Sequence, residues 1–321
     1  MIALFALVFF LTLGVSLAAF VLETARAAQV SRILNRWVIR AALPALVLQK
    51  IHALPEFSFS SPEILLPVSQ PWIHFFLSMA VVTAAARLLG WSRSTWGALV
   101  LTLGLGNTSF VGIPLLRAIL GPETLGTAVL IDQLGSFLIL SAVGAPLAQA
   151  IAPRDDEEGE GRHRSASAST FLLRPLKFPP FLALLLALAT RHLVYPEWMG
   201  SVLGAFASTL GPVALVSVGL SMKWKALSRP EVRQPLALAL AFKLLILPTL
   251  YWAVYSRWAA LYPEFSPMVL KTLLLESAMA SMITAGVVAA DNRLDPDLAQ
   301  LMVGVSIPLS LVTVPLWAMV I

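Results

Sequence analysis

The chain has 321 residues, 58% apolar and only 12% charged, with a mean hydropathy of +0.84. A water-soluble domain carries about 25% charged residues, so this composition excludes one. The net charge of +5 would suit a nucleic-acid binder, but most basic residues flank apolar runs, as membrane topology demands. The absence of cysteine excludes disulfides and Cys-based metal or redox chemistry.

The first apolar run, 2–22, has no Asp, Glu, Lys or Arg, and its first flanking basic residue is Arg26. With no charge before it and a length near the roughly 20 residues a crossing helix needs, it reads as a span rather than a secretory leader. Charge-free runs recur at 94–116, 133–153, 198–222 and 298–321. None shows the period-2 alternation of an outer-membrane barrel, so the spans are expected to be helical. Apolar segments set against polar punctuation predict ten spans near 2–22, 31–52, 65–87, 94–120, 124–151, 172–192, 199–222, 234–257, 267–290 and 297–320. Tight turns are expected at Gly90, Gly121–Pro122, Pro196 and Pro263.

Between spans five and six runs a polar stretch holding Asp155, Asp156, Glu157, Glu158, Glu160, Arg162 and Arg164. It cannot bury an apolar face and is expected to be a linker, 152–171. The acid cluster in it reads as solvated charge rather than a metal site. Of the 22 Lys and Arg, Arg40 and Lys243 fall within spans, fifteen fall on the linker's side and five on the other. The positive-inside rule therefore places the linker in the cytoplasm and both termini outside. The linker divides the chain into 1–151 and 172–321, each with five expected spans. An odd number of spans per half makes the halves inverted repeats, a common basis of alternating access. Leu43-Pro44-Ala45-Leu46 in span two and Gly211-Pro212-Val213-Ala214-Leu215 in span seven echo each other weakly.

Span four contains Gly104, Gly106, Asn107, Gly112 and Pro114, a combination that cannot form a uniform helix. Backbone groups freed at membrane depth must find partners, and the N-terminus of a half-helix can hold an anion. The alternative is a simple proline kink with small residues for packing. Asn107, Thr108 and Pro114 are the candidate substrate residues here. Span nine, rich in Ser, Thr, Ala and Met, adds Ser281 and one carboxylate, Glu276. A charge inside a span is costly and usually functional, although Glu276 could also pair with Lys243 or Lys271.

Asp132 in span five, with Gln133 beside it and Ser136 one turn on, supplies a second membrane acid. Asp132, Gln133, Ser136 and Glu276 are the candidate coupling residues, with Asn107, Asp132 and Glu276 able to hold Na⁺. If burial favours the neutral acids, they would carry a proton instead. Lys243 in span eight either holds a substrate carboxylate or neutralises one of the acids. Arg40 is expected to snorkel, and His74 to be a packed histidine. Trp72, Trp91, Trp96, Trp198 and Trp258 lie near span ends, as interfacial anchors do. No HExxH, GxSxG or paired-acid motif indicates an enzyme.

The string Gly106-Asn107-Thr108-Ser109-Phe110-Val111-Gly112-Ile113-Pro114 resembles the Gly-Asn-x-x-Phe-x-Gly-x-Pro string in the fourth span of the auxin efflux carrier family. The span-two and span-seven strings, the ten-span layout and the polar loop after span five fit the same family, whose bacterial members have short linkers. The resemblance implies an all-α fold of two inverted five-helix repeats in which spans four and nine are broken and cross. Spans one, two, six and seven would form a scaffold, often dimeric, and spans three to five and eight to ten a transport domain. Family substrates are small organic anions: auxin in plants, dicarboxylates in bacteria. Asn107 and Pro114 match the first crossover; at the second, where relatives have a proline, this chain has Ala280. Glu276-Ser277-Ala278-Met279 is similar to the bile acid sodium symporters, in which an acid at this crossover helps bind Na⁺. The resulting expectation is an elevator-like transporter of a small organic anion in a bacterial inner membrane, coupled to Na⁺ or H⁺. The alternatives are an uncoupled uniporter or channel-like carrier, and a transporter-like sensor.

Overall fold

The computed structural model describes residues 2–52, 62–153, 179–190, 193, 195–263 and 265–320; most of the expected linker lies outside these. All regular elements among them are helices. In chain order they are α1 (Ile2–Ser16), α2 (Thr24–Trp37), α3 (Leu43–His52), α4 (Pro62–Leu89), α5 (Arg93–Gly104), α6 (Ile113–Leu120), α7 (Leu125–Leu130) and α8 (Ala145–Ile151). They continue with α9 (Pro179–Ala189), α10 (Glu197–Ser208), α11 (Leu210–Ser221), α12 (Pro230–Ala241), α13 (Leu247–Leu261), α14 (Pro267–Ser277), α15 (Ile283–Asp291) and α16 (Pro296–Ala318). Five helical stretches are long and apolar enough to cross a membrane: Ile64–Leu89, Pro122–Ile151, Glu197–Ser221, Pro230–Leu261 and Pro296–Ala318. The other described helices are shorter pieces.

Proline explains much of that fragmentation. The wide turns Val38–Ala42, Thr108–Gly112, Leu140–Gly144 and Phe242–Ile246 are π-helical. Each is followed by a helix whose second residue is proline: Pro44, Pro114, Pro146 and Pro248. A proline ring lacks the N–H and pushes away the carbonyl one turn back, so the preceding turn widens to accommodate it. Apolar runs that read as continuous in the sequence are therefore interrupted at defined places.

Packing follows from small residues. A Cβ on Gly14 would lie 2.3 Å from the Val216 carbonyl oxygen, and one on Gly219 would lie 2.4 Å from that of Leu11. Only glycine lets the backbones of α1 and α11 touch in this way. Next to that contact, the Ser217 hydroxyl donates to Asn35 Oδ1 at 2.5 Å and shares a 2.8 Å hydrogen bond with Ser31, tying α2 to α11. The helix α3 packs on α9 and α10. A second set of contacts joins α4 to α5, α5 to α15 and α16, α12 to α16, and α13 to α14, while α11 meets α15 and α16. The start of α5 is pinned to the α15–α16 turn: Asp295 N donates to Ser94 Oγ at 2.7 Å, and Thr95 Oγ1 donates to Asp295 Oδ2 at 2.8 Å.

Helix breaks are observed in both segments where they were expected. Helix α5 stops at Gly104 and helical backbone resumes only at Thr108; α14 stops at Ser277 and α15 begins at Ile283. The second break forms without proline, and Ala280 lies within it.

Candidate functional site

The two breaks meet. Gly106 and Ser281 form an antiparallel bridge, in which Asn107 N donates to the Ala280 carbonyl at 2.8 Å and Met282 N to the Leu105 carbonyl at 2.9 Å. Each interrupted helix thus satisfies part of the other's freed backbone, as low dielectric surroundings require. Asn107 organises the first break. Its Oδ1 accepts from Phe110 N and Val111 N at 3.2 and 3.3 Å, capping the turn Thr108–Gly112, while its buried Nδ2 has no hydrogen-bond partner. The capping bonds occupy the amide oxygen, so Asn107 offers the site a donor. That donor suits an anion better than Na⁺. In the second break, Ser281 N donates to Ser306 Oγ at 2.9 Å, and the Ser281 hydroxyl is buried without a partner.

The five-residue turn Thr108–Gly112 lies between the two acids. Asp132, on the wide turn Ile131–Phe137, accepts from Thr108 Oγ1 at 2.7 Å, from Ser109 Oγ, and from Gln133 Nε2 at 2.5 Å. Glu276 approaches the far end of the same turn: a Cβ on Gly112 would lie 2.8 Å from its Oε2. Both Glu276 carboxylate oxygens are buried without a hydrogen-bond partner. Gln70, His74, Gly106, Thr108, Ser136 and Glu276 are among the residues around a cavity of ≈ 10 Å³. This is room for about one water molecule or monatomic ion.

Of the thirteen buried side-chain polar atoms without a partner among the described residues, six belong to the two breaks and the residues beside them. Asn107 Nδ2, Gln133 Oε1, Ser281 Oγ, Thr284 Oγ1 and both Glu276 oxygens lack partners. Each such atom costs about 1–3 kcal/mol unless something binds it, so those at the crossover are available to a ligand. The oxygen-rich donor set around Asp132 and Glu276 is of the kind hard cations take. Among the described residues no group of three His, Cys, Asp or Glu could hold a metal.

Lys243 is fully buried on the wide turn Phe242–Ile246. Its hydrogen bonds are to carbonyls, Leu103 O at 2.8 Å and Leu105 O at 3.4 Å. Pro114 is the second residue of α6, one turn beyond the crossing, where it starts the resumed helix. Gln70 and Gly112 were not among the sequence-derived candidates. Gln70 Nε2 donates to Leu273 O of α14 at 3.2 Å, and His74, four residues on and so on the same helix face, lies 3.3 Å by Nε2 from Leu103 O. That i, i+4 pair of polar residues in an apolar helix was the available signal for Gln70.

From residue 1 to residue 318 the chain matches the family of membrane transport proteins. It belongs to the auxin efflux carrier family. This carrier is 31% identical over 289 residues to an uncharacterized transporter of Methanothermobacter thermautotrophicus, covering 89% of this chain and 88% of the relative. It is 27% identical over 300 residues, again 89% and 88% of the two chains, to an uncharacterized transporter of Methanocaldococcus jannaschii. The protein is an integral membrane transporter and not an enzyme.

Proposed function

We propose that this carrier is a secondary transporter of a small organic carboxylate, driven by Na⁺ or H⁺, working by elevator-like alternating access. The observation that carries the proposal is the turn Thr108–Gly112, with the free amide donor of Asn107 at its start and Asp132 and Glu276 at its two ends. An anion donor at the start of one five-residue turn, with a carboxylate from another element against each end of it, would let binding of substrate and coupling ion stabilise the same arrangement. In this reading Asn107, Thr108, Pro114 and Ser281 shape the substrate site, helped by the positive N-terminal ends of the resumed helices. Asp132, Gln133, Ser136 and Glu276 serve the coupling cation. Lys243, with three donors and two carbonyl partners, has one N–H left for a substrate carboxylate.

The wider architecture belongs to the same proposal: ten spans in two inverted five-helix repeats, 1–151 and 172–321, with spans one, two, six and seven as scaffold. The contacts among α1, α2 and α11, and of α3 with α9 and α10, support that grouping. The carrier would sit in the bacterial inner membrane with both termini outside, as a dimer through its scaffold.

The test is uptake of labelled malate, malonate and aromatic carboxylates into proteoliposomes, with Na⁺ and pH gradients imposed separately. Accumulation above the substrate's own electrochemical gradient, lost in Glu276→Gln and Asp132→Asn, is the expected result. Coupling that survives in both variants would remove the assigned roles. Flux that never exceeds the substrate gradient would identify an uncoupled carrier instead.

A further inference from the structure

A broken helix leaves carbonyls without their usual donors. In α5 the Leu103 carbonyl would normally accept from Asn107 N, but that N–H is diverted across the bridge to Ala280. Leu105 O receives Met282 N. The negative C-terminal end of α5 therefore points into a buried region at the crossover. Elsewhere, such half-helix ends, together with unwound carbonyls, bind free alkali cations. Here the position is taken. Lys243 Nζ lies 2.8 Å from Leu103 O and 3.4 Å from Leu105 O, fully buried, and has no carboxylate within salt-bridge distance among the described residues.

We propose that the Leu103 and Leu105 carbonyls form a monovalent-cation site whose occupant is the tethered ammonium of Lys243. A charge buried without a carboxylate needs another source of stabilisation. The end of a helix dipole and two carbonyl oxygens provide it. At this position the chain supplies the cation itself. Lys243 thereby also positions the broken span, alongside the one N–H it keeps for a substrate carboxylate. The inference uses the crossover as the transport site but can be tested without transport.

The test is thermal unfolding of the purified carrier, wild type against Lys243→Ala, Lys243→Gln and Lys243→Arg, in choline chloride and with about 100 mM Na⁺, K⁺ or ethylammonium. A ligand bound only by the folded state raises its melting temperature. The wild type should show no ethylammonium effect. Lys243→Ala should melt at least about 5 °C lower and recover half or more of that loss with ethylammonium, or with an alkali cation beyond any gain the same cation gives the wild type. Lys243→Arg should retain stability. Lys243→Gln, which can donate but carries no charge, should be destabilised like the alanine variant. If Lys243→Ala does not fold without added cation, purification in ethylammonium should restore it, and the Gln and Arg variants still decide the question. Wild-type stability in Lys243→Gln would show that hydrogen bonding suffices and overturn the proposal. So would a loss in Lys243→Ala that no cation reverses. Failure of gradient-driven uptake by the wild type would sink the transport reading and leave these melting results standing.

Discussion

The carboxylate of Glu276 lies against the α-carbon of Gly112, where a Cβ would come within 2.8 Å of Oε2 and 2.9 Å of Oε1. Gly112 has φ −59 and ψ −63, ordinary helical values that any residue adopts, so backbone freedom does not require glycine there. The space is required by the acid from the other interrupted span. Gly112→Ala should force Glu276 to move, lowering stability by about 1–3 kcal/mol through overpacking and abolishing coupled uptake. A Gly112→Ala, Glu276→Ala double variant should regain most of the stability and none of the coupling. Chemical denaturation and uptake measured together would check both parts.

The two acids are held differently, and neutralising them should separate stability from function. Asp132 accepts from Thr108, Ser109 and Gln133, so Asp132→Asn presents a donor where donors converge. It should cost about 1–3 kcal/mol as well as activity. Glu276 has no hydrogen bonds to lose, and Glu276→Gln removes a buried ionisable group. Its stability should be unchanged or higher while coupling disappears. A stability loss in Glu276→Gln as large as that in Asp132→Asn would contradict this.

Asn107 combines a cap and a free donor, and two substitutions divide them. Asn107→Asp keeps an oxygen for Phe110 N and Val111 N but replaces the NH₂ group. It should melt near the wild-type temperature yet bind carboxylates at least about tenfold more weakly, through loss of a charge-assisted hydrogen bond and added repulsion. Asn107→Ala removes both and should also lose about 1 kcal/mol of stability. Ligand-induced thermal shifts measure the two effects side by side.

The contact between α1 and α11 provides a control. Gly219→Val would drive side-chain atoms into the Leu11 carbonyl, with the Cβ alone at 2.4 Å. Destabilisation of about 2 kcal/mol or more is expected. In the fraction that folds, the ratio of uptake with and without the ion gradient should match the wild type. A changed ratio would show that this contact participates in coupling.

How much of this was legible depended on whether the signal was local. The helical character of the chain was legible because an apolar chain in lipid must satisfy its own backbone. The first break could be read from Gly106, Asn107 and Pro114, each carrying its own backbone constraint, and Asn107 does cap the turn that follows. The second break was harder, because its usual proline is replaced by Ala280; there the backbone is held open by Asn107 N, Leu105 O and Ser306 Oγ. Those partners come from other spans, so nothing near residue 280 announces them.

Taken alone, the sequence determined a helical membrane transporter, its family, its first interrupted span and the acids to examine. Periodicity, turn residues and the cost of buried charge act over a few residues, and all of them are written locally. Only the tertiary structure decided what those charges face. Lys243 was read as a partner for a carboxylate, yet its amine reaches carbonyls 140 and 138 positions away. Glu276 fits only because Gly112 of the other interrupted span has no side chain there. Such relationships arise when two breaks cross, and a linear chain carries no record of which freed backbone group will meet which side chain.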